Sequence, residues 1–121
     1  MSFAPQPKPV PAVVEKLARR RRGNTLDRQQ KKLVRDRDLA QCRVCGGVAT
    51  DVHERLFKSL GGTASLANSL CACRLCHVYL QGHAIRPYGT DCNAALTFVM
   101  SPIVARHIFR GRQVPPHVEV R

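Results

Sequence analysis

Apolar positions recur at helical spacing in one segment near the start of the chain. Leu26, Leu33 and Val34 lie on one face of a helix that we predict over 26–38, with Thr25 as its N-cap. Most other positions of this segment are basic. We therefore expect a helix with a narrow buried face and a broad charged face.

From Cys42 onward the pattern changes to short segments separated by glycine and proline. It predicts a strand near 48–55 and, after a loop, a helix that begins at or just inside 73–76 and ends near residue 81. An apolar run over 94–100 predicts a further strand, and 102–109 predicts a short helix. The segment Arg86-Pro87-Tyr88-Gly89 predicts a turn.

These patterns predict one folded domain over 25–110, whose centre is 40–83. A leader rich in proline and arginine, 1–24, precedes it and is expected to be disordered. Residues 111–121 are expected to form a C-terminal tail, because they are too rich in proline to fold alone.

The composition predicts a thin hydrophobic core. Of the 121 residues 44% are apolar, but only 5% are aromatic and none is Trp. Large aromatic side chains supply much of the buried area of a small core, so a chain of this size often needs a disulfide or a bound metal for stability. The six cysteines are the candidates.

The formal net charge of +12 is concentrated in residues 1–37, which contain eleven Lys or Arg against three Asp or Glu. This excess predicts DNA as a partner, because phosphates carry dense negative charge. The candidate contacts are Arg19, Arg20, Arg21, Arg22, Lys31, Lys32 and Arg35. The sequence has no recognisable signal peptide or membrane-spanning run, so we expect a cytoplasmic protein.

Four cysteines form two C-x-x-C pairs separated by 27 residues: Cys42, Cys45, Cys73 and Cys76. Two such pairs can complete a tetrahedral shell of four sulfurs, which is typical of structural zinc. The alternatives are two disulfides or a redox pair, and both are disfavoured where thiols stay reduced. Cys71 and Cys92 are left over, and we interpret them as buried thiols.

The residues between the two pairs carry candidate chemistry: Asp51-Val52-His53-Glu54, then Gly61-Gly62, Asn68 and His77. In this order and spacing they resemble the HNH endonuclease family, whose hallmark is a ββα-metal finger. The resemblance implies an α+β fold in which a four-cysteine zinc site staples this finger, with a basic N-terminal helix or arm. It also implies that His77 binds a catalytic divalent metal (Mg²⁺, Mn²⁺ or Ni²⁺) and that Asn68 fixes the loop behind the catalytic strand.

The family activity implied for this chain is hydrolysis of DNA phosphodiester bonds, by nicking or by cutting both strands, with low sequence specificity. The small size and basic character are similar to those of compact HNH proteins of bacteriophages, which would place the chain in the bacterial host cell and in phage DNA processing or packaging. Arg55 and Lys58 are further candidates for phosphate contacts, with solvated loop charges as the alternative.

The general base has two possible assignments. When the chain is aligned with the HNH pattern at Gly61, His53 is a metal ligand together with His77. Glu54 is then the base or a supporting carboxylate. Alignment on Asn68 makes His53 the base and Asp51 the ligand. A degenerate site is a third possibility.

Two other functions fit the same residues. One is a noncatalytic zinc-finger protein that binds nucleic acid. The other is a basic adaptor in a packaging or repair complex.

Overall fold

The computed structural model describes residue 25, residues 27–57 and residues 60–121. The predictions for the leader 1–24 with its four consecutive arginines, for Leu26 and for Lys58 lie outside the described residues.

Helix α1 covers 27–37, which agrees with the predicted segment. Val34 is fully buried, whereas Leu33 is 48% exposed, so the apolar face is even narrower than predicted. Thr25 is itself helical, and the prediction that it caps the helix from outside is wrong. The helix ends where Leu39 and Ala40 both take left-handed backbone conformations, which turns the chain toward Cys42.

Two antiparallel strands and a helix follow. Strand β1 (Asp51–Glu54) pairs with β2 (Ser69–Ala72), and His53 lies opposite Leu70 in their register. Helix α2 (Arg74–Gln81) begins directly after β2. Cys73 is its N-cap, because its sulfur accepts a hydrogen bond from the Cys76 amide. The predicted helix at the second C-x-x-C pair is confirmed.

The rest of the chain forms a second sheet, in the order β3-β4-β5, with one helix. Its elements are β3 (Ile85–Tyr88), β4 (Thr97–Met100), helix α3 (Pro102–Phe109) and β5 (Val118–Val120). Strands β3 and β4 are antiparallel, and β4 and β5 are parallel. Ser101 caps α3 through a hydrogen bond from the Val104 amide, and the predicted helix over 102–109 is confirmed.

Two predictions about this second sheet are corrected. Residues 86–88 belong to strand β3 instead of a turn, and Pro87 is tolerated because β3 is an edge strand. The predicted tail 111–121 contributes β5, whose ladder with β4 supplies the contacts that the segment could not make alone.

One hydrophobic core joins both sheets. It includes Cys42 and Cys76 beside the two C-x-x-C turns, Leu80 of α2, and Phe98 and Phe109 of the second sheet and its helix. The cysteine region and the C-terminal half therefore stabilise each other. Within the described residues, no helix combines the length and the apolar character that a membrane span requires.

Candidate functional site

The four paired cysteines meet at one point. Their sulfur atoms all lie within 4.8 Å of one another, and together they could hold a metal ion. The first pair lies in a tight turn in which the Gly46 amide donates to the Cys42 carbonyl, and Gly46 has a positive φ of 78°. The second pair lies at the start of α2. The predicted four-sulfur cluster is confirmed.

The chemistry of these thiols fits a cation. A hydrogen bond from the Cys76 thiol lowers the pKa of Cys42 to about 5, although burial opposes this shift. Burial and the nearby Cys42 and Cys73 raise the pKa of Cys45 to about 11. One thiolate thus suppresses the ionisation of its neighbours, and a cation among the four sulfurs removes that repulsion. All six cysteines, which lie within the described part of the chain, are free of disulfides.

The two unpaired cysteines are core residues, as predicted. Cys71 on β2 and Cys92 after β3 are both fully buried, and the Cys71 thiol donates to the Val34 carbonyl of α1 at 3.8 Å. They lie outside the four-sulfur cluster.

A second polar cluster lies between β1 and α2. Alternation along β1 places Asp51 and His53 on the same face. His77, on the first turn of α2, approaches both of them. Its Nδ1 lies 2.8 Å from the Asp51 carboxylate, and its ring centroid lies 5.3 Å from that of His53. Three residues that the sequence singled out are therefore in contact.

His53 is buried, with 3% of its surface exposed. Burial, with smaller contributions from the charges of His77 and His83, lowers the pKa of His53 to about 4. Its imidazole is therefore neutral near pH 7, and a neutral imidazole is the form that binds a metal or accepts a proton. The Phe57 ring packs edge-on against it at 6.1 Å.

The pKa of Asp51 is lowered, chiefly by its hydrogen bond with His77 and less by Arg74. The Arg74 guanidinium lies 3.0 Å from the same carboxylate. Asp51 is thus a charged acceptor that fixes the orientation of the His77 ring.

Asn68 holds the loop that follows β1. Its side-chain oxygen accepts from the Leu56 amide at 2.8 Å, and its nitrogen donates to the carbonyls of Leu56 and Thr63. This is the loop-fixing contact that the family resemblance implies. The same loop requires glycine at position 62, because a Cβ atom there would overlap the Leu56 carbonyl oxygen.

A cleft of about 460 Å³ opens beside the Asp51–His77 pair. Three basic side chains line it, Lys31 and Arg35 from α1 and Arg74 from α2. Lys31 also pairs with Asp27 at 3.1 Å on its own helix. Of the predicted DNA contacts, Lys31 and Arg35 are thus brought to this cluster, whereas Lys32 is exposed elsewhere on α1.

The other predicted residues lie differently. Glu54 alternates to the face of β1 opposite His53. Arg55 donates to the carbonyls of Gly89 and Pro87, which gives it a structural contact with the end of β3. Its role as a phosphate contact stays a prediction.

The sequence analysis missed Arg74 and a network of three charged side chains. Arg74 occupies the second position of a C-x-x-C pair, and that proximity to both the cysteines and His77 was the available signal. Asp38 accepts from both nitrogens of Arg37 that face it, at 2.8 and 3.0 Å, and from Arg43 at 3.5 Å. No local pattern marks this network, although its three side chains are close in sequence. Its other contacts are with distant backbone groups, since Asp38 accepts from the Cys71 amide and Arg43 donates to the Cys92 carbonyl.

Among the described residues, Asp51, His53 and His77 do not bring three ligand atoms as close together as the cysteines do. Comparison of the chain with models of protein families, with curated proteins and with solved structures gives no match.

Proposed function

We propose that the protein is a metal-dependent DNA endonuclease of the HNH type, with a structural zinc ion bound by the four cysteines. The observation that carries the proposal is the meeting of His53, His77 and Asp51 beside a cleft lined by basic side chains. A pure nucleic-acid-binding module has no need for two neighbouring histidines and an orienting carboxylate beside its phosphate contacts.

Zinc is the metal that four converging thiolates favour. A four-sulfur site is coordinatively closed, so its role is to join the first turn to the start of α2. Because β1 lies between the two cysteine pairs and His77 directly follows Cys76, the zinc site would fix the distance between His53 and His77.

His53 and His77 are suited to hold the catalytic divalent cation. The Asp51 carboxylate is hydrogen-bonded to Nδ1 of His77, so Nε2 of that ring is left to face a metal. A neutral His53 beside it can act as a second ligand. When bound, the cation would stabilise negative charge on the scissile phosphate and the leaving oxygen. Lys31, Arg35 and Arg74 would hold the phosphates on either side.

The assignment of the general base depends on access to the attacking water. A general base must reach the attacking water, and His53 is too deeply buried for that role. We assign His53 as a ligand and keep Glu54, the residue that alignment on Gly61 indicates, as the base, although its side chain lies on the other face of β1. The alternative, with His53 as base and Asp51 as ligand, is favoured by one observation, since Asp51 and His53 share a face and Glu54 does not.

The decisive experiment is plasmid cleavage with Mg²⁺, Mn²⁺ or Ni²⁺ against a metal-free control. We expect His77→Ala to abolish cleavage while the zinc content stays at one ion per chain. His107→Gln is the matched control, because His107 lies on α3 and contacts Tyr79 instead of the cluster. A wild-type protein that retains zinc and shows no metal-dependent cutting would contradict the enzyme proposal and favour the noncatalytic zinc finger.

The base is tested by titrating Mn²⁺ against three variants. Loss of a ligand weakens metal binding and is offset by more metal, whereas loss of the base is not. We expect excess Mn²⁺ to restore part of the activity of His53→Gln and none of that of Glu54→Gln. Asp51→Asn should raise the Mn²⁺ requirement roughly 10- to 100-fold. The reverse result for His53 and Glu54 would establish the alternative assignment.

A further inference from the structure

The second sheet has one covered face and one open face. Ile85, Phe98, Met100 and Val118 point into the core, where they meet the apolar side of α3. The residues between them point the other way. On that side Val99 is partly exposed, and the other residues of the three strands are exposed.

The pairing register of the three strands identifies the residues on the open face. Arg86 of β3 lies beside Val99 of β4, which lies beside Glu119 of β5. Tyr88 lies two residues after Arg86 on β3, and Arg121 lies two residues after Glu119, just past the end of β5, so they share this face. Tyr88 is 50% exposed, and the two arginines are exposed as well.

Arg86, Tyr88, Val99 and Arg121 line a groove of about 270 Å³ together with His83. The groove is basic and contains an aromatic ring. The Glu119 carboxylate, on the same face of the sheet, pairs with Arg121 at 3.0 Å, and both side chains are about half exposed or more. Such a surface pair is weak and readily exchanged for a phosphate.

A row of rings connects this groove to the proposed catalytic centre. The ring centroids of His77 and His53 are 5.3 Å apart, those of His53 and Phe57 are 6.1 Å apart, and those of Phe57 and His83 are 5.8 Å apart. His77 lines the basic cleft and His83 lines the groove. The two basic surfaces therefore lie at the two ends of this row of rings, which passes through the buried His53.

We propose that the open face of β3-β4-β5 binds a single-stranded segment of DNA that continues from the strand held in the catalytic cleft. An exposed aromatic ring on an open sheet can stack on a base of any sequence, and flanking arginines contact the backbone. A duplex buries its bases in the stack, so Tyr88 can contribute only to binding of an unpaired strand. The proposal rests on the nuclease function for its biological role, but the binding itself does not require cleavage.

The test is binding of fluorescently labelled oligothymidylate, measured by anisotropy without added divalent metal, with a labelled DNA duplex as the comparison. Tyr88→Ala should weaken oligothymidylate binding about fivefold or more, since stacking on an aromatic ring is sequence-tolerant and substantial. It should leave duplex binding nearly unchanged. Tyr88→Phe keeps the ring and should bind like wild type.

Charge is tested separately. The double variant Arg86→Gln, Arg121→Gln should lower the slope of log affinity against log salt for the single strand by roughly 1 to 1.5. Arg106→Gln, on the exposed side of α3, removes the same kind of charge outside the groove and is the matched control. Val99→Glu adds a negative charge at the centre of the face and should weaken single-strand binding even if Tyr88→Ala does not fold.

The outcomes separate this proposal from the nuclease proposal. His77→Ala should abolish cleavage and still bind oligothymidylate as wild type does. If Tyr88→Ala and Val99→Glu, both folded, bind the single strand like wild type, the proposal is overturned whether or not the protein cuts DNA. Equal losses for single strand and duplex would overturn it too, because they would indicate charge alone.

Discussion

At the scale of single residues, the loop between β1 and β2 depends on two side-chain positions. Asn68 makes three hydrogen bonds across it, and Gly62 allows the chain to pass directly against the Leu56 carbonyl. Both contacts fix the position at which the loop leaves β1. His53 is the last residue but one of that strand. The loop therefore affects the candidate site without contributing a ligand to it.

We predict that Gly62→Ala destabilises the protein by about 2 kcal/mol, because overpacking against backbone cannot be relieved by a rotamer change. The added methyl group would overlap the carbonyl group of Leu56. Urea unfolding followed by circular dichroism measures the change.

Gly82→Ala is the control for this substitution. A Cβ atom at Gly82 would meet its nearest neighbour, the Val78 carbonyl oxygen, at 3.5 Å, which is an ordinary contact. We expect its free energy of unfolding to stay within about 0.5 kcal/mol of wild type. Equal effects of the two substitutions would contradict the packing argument.

At the scale of elements, one carboxylate joins α1 to the cysteine turn and to β2. The Asp38 side chain is 4% exposed and accepts from Arg37, from Arg43 and from the Cys71 amide. Arg37 and Arg43 in turn donate to backbone carbonyls of the segments around Ser69 and Cys92. Two arginines of this basic chain are therefore committed to holding the fold.

This carboxylate predicts a pH dependence of stability. Burial tends to raise the pKa of Asp38, but the hydrogen bonds from Arg37 and the Cys71 amide and the charge of Arg43 hold it below its ordinary value. Because the folded pKa is the lower one, the stabilisation is complete above the unfolded pKa of about 3.9. It is lost as the pH falls through the folded pKa.

We expect Asp38→Asn to cost on the order of 3 kcal/mol at pH 7, because it leaves buried charges without their partner. The difference from wild type should shrink as the pH is lowered below about 4. Urea unfolding of both proteins measures it, at pH values at which elemental analysis shows that the metal is still bound. Asp36→Asn, at an exposed position near the end of α1, is the control. A difference that stays constant in acid would contradict the assignment.

At the scale of the whole molecule, the cysteine cluster and the hydrophobic core form one unit. Cys42 and Cys76 are both ligand candidates and buried core residues. The aromatic contribution to this core is small, as the composition indicates. Removal of the metal should therefore unfold both sheets together.

We predict one zinc ion per chain and cooperative unfolding when a chelator removes it, since structural zinc contributes on the order of 10 kcal/mol to folding. Elemental analysis and circular dichroism during chelator titration measure the two quantities. Cys76→Ser should lose both the metal and the fold. Cys71→Ser, which is buried but outside the cluster, should retain zinc. A folded protein without metal would contradict this prediction.

The sequence by itself determined the local helices and the grouping of the four cysteines. The helices at 27–37 and 102–109 agree with the apolar patterns that predict them, and the helix at 74–81 agrees with the one predicted at the second C-x-x-C pair. The four cysteines follow from their spacing, because a C-x-x-C turn brings its own two sulfurs together whatever the rest of the chain does.

Only the tertiary structure decided the contacts that join distant segments. From the sequence alone Pro87 predicts a turn, because its partner strand lies about ten residues away. An edge position that tolerates proline exists only once the sheet has formed. The same holds for β5, for the contact of Asp38 with β2 and for Arg74 beside Asp51. Each depends on which surfaces the core and the cysteine cluster bring together, and neither periodicity nor residue spacing along the chain encodes that directly.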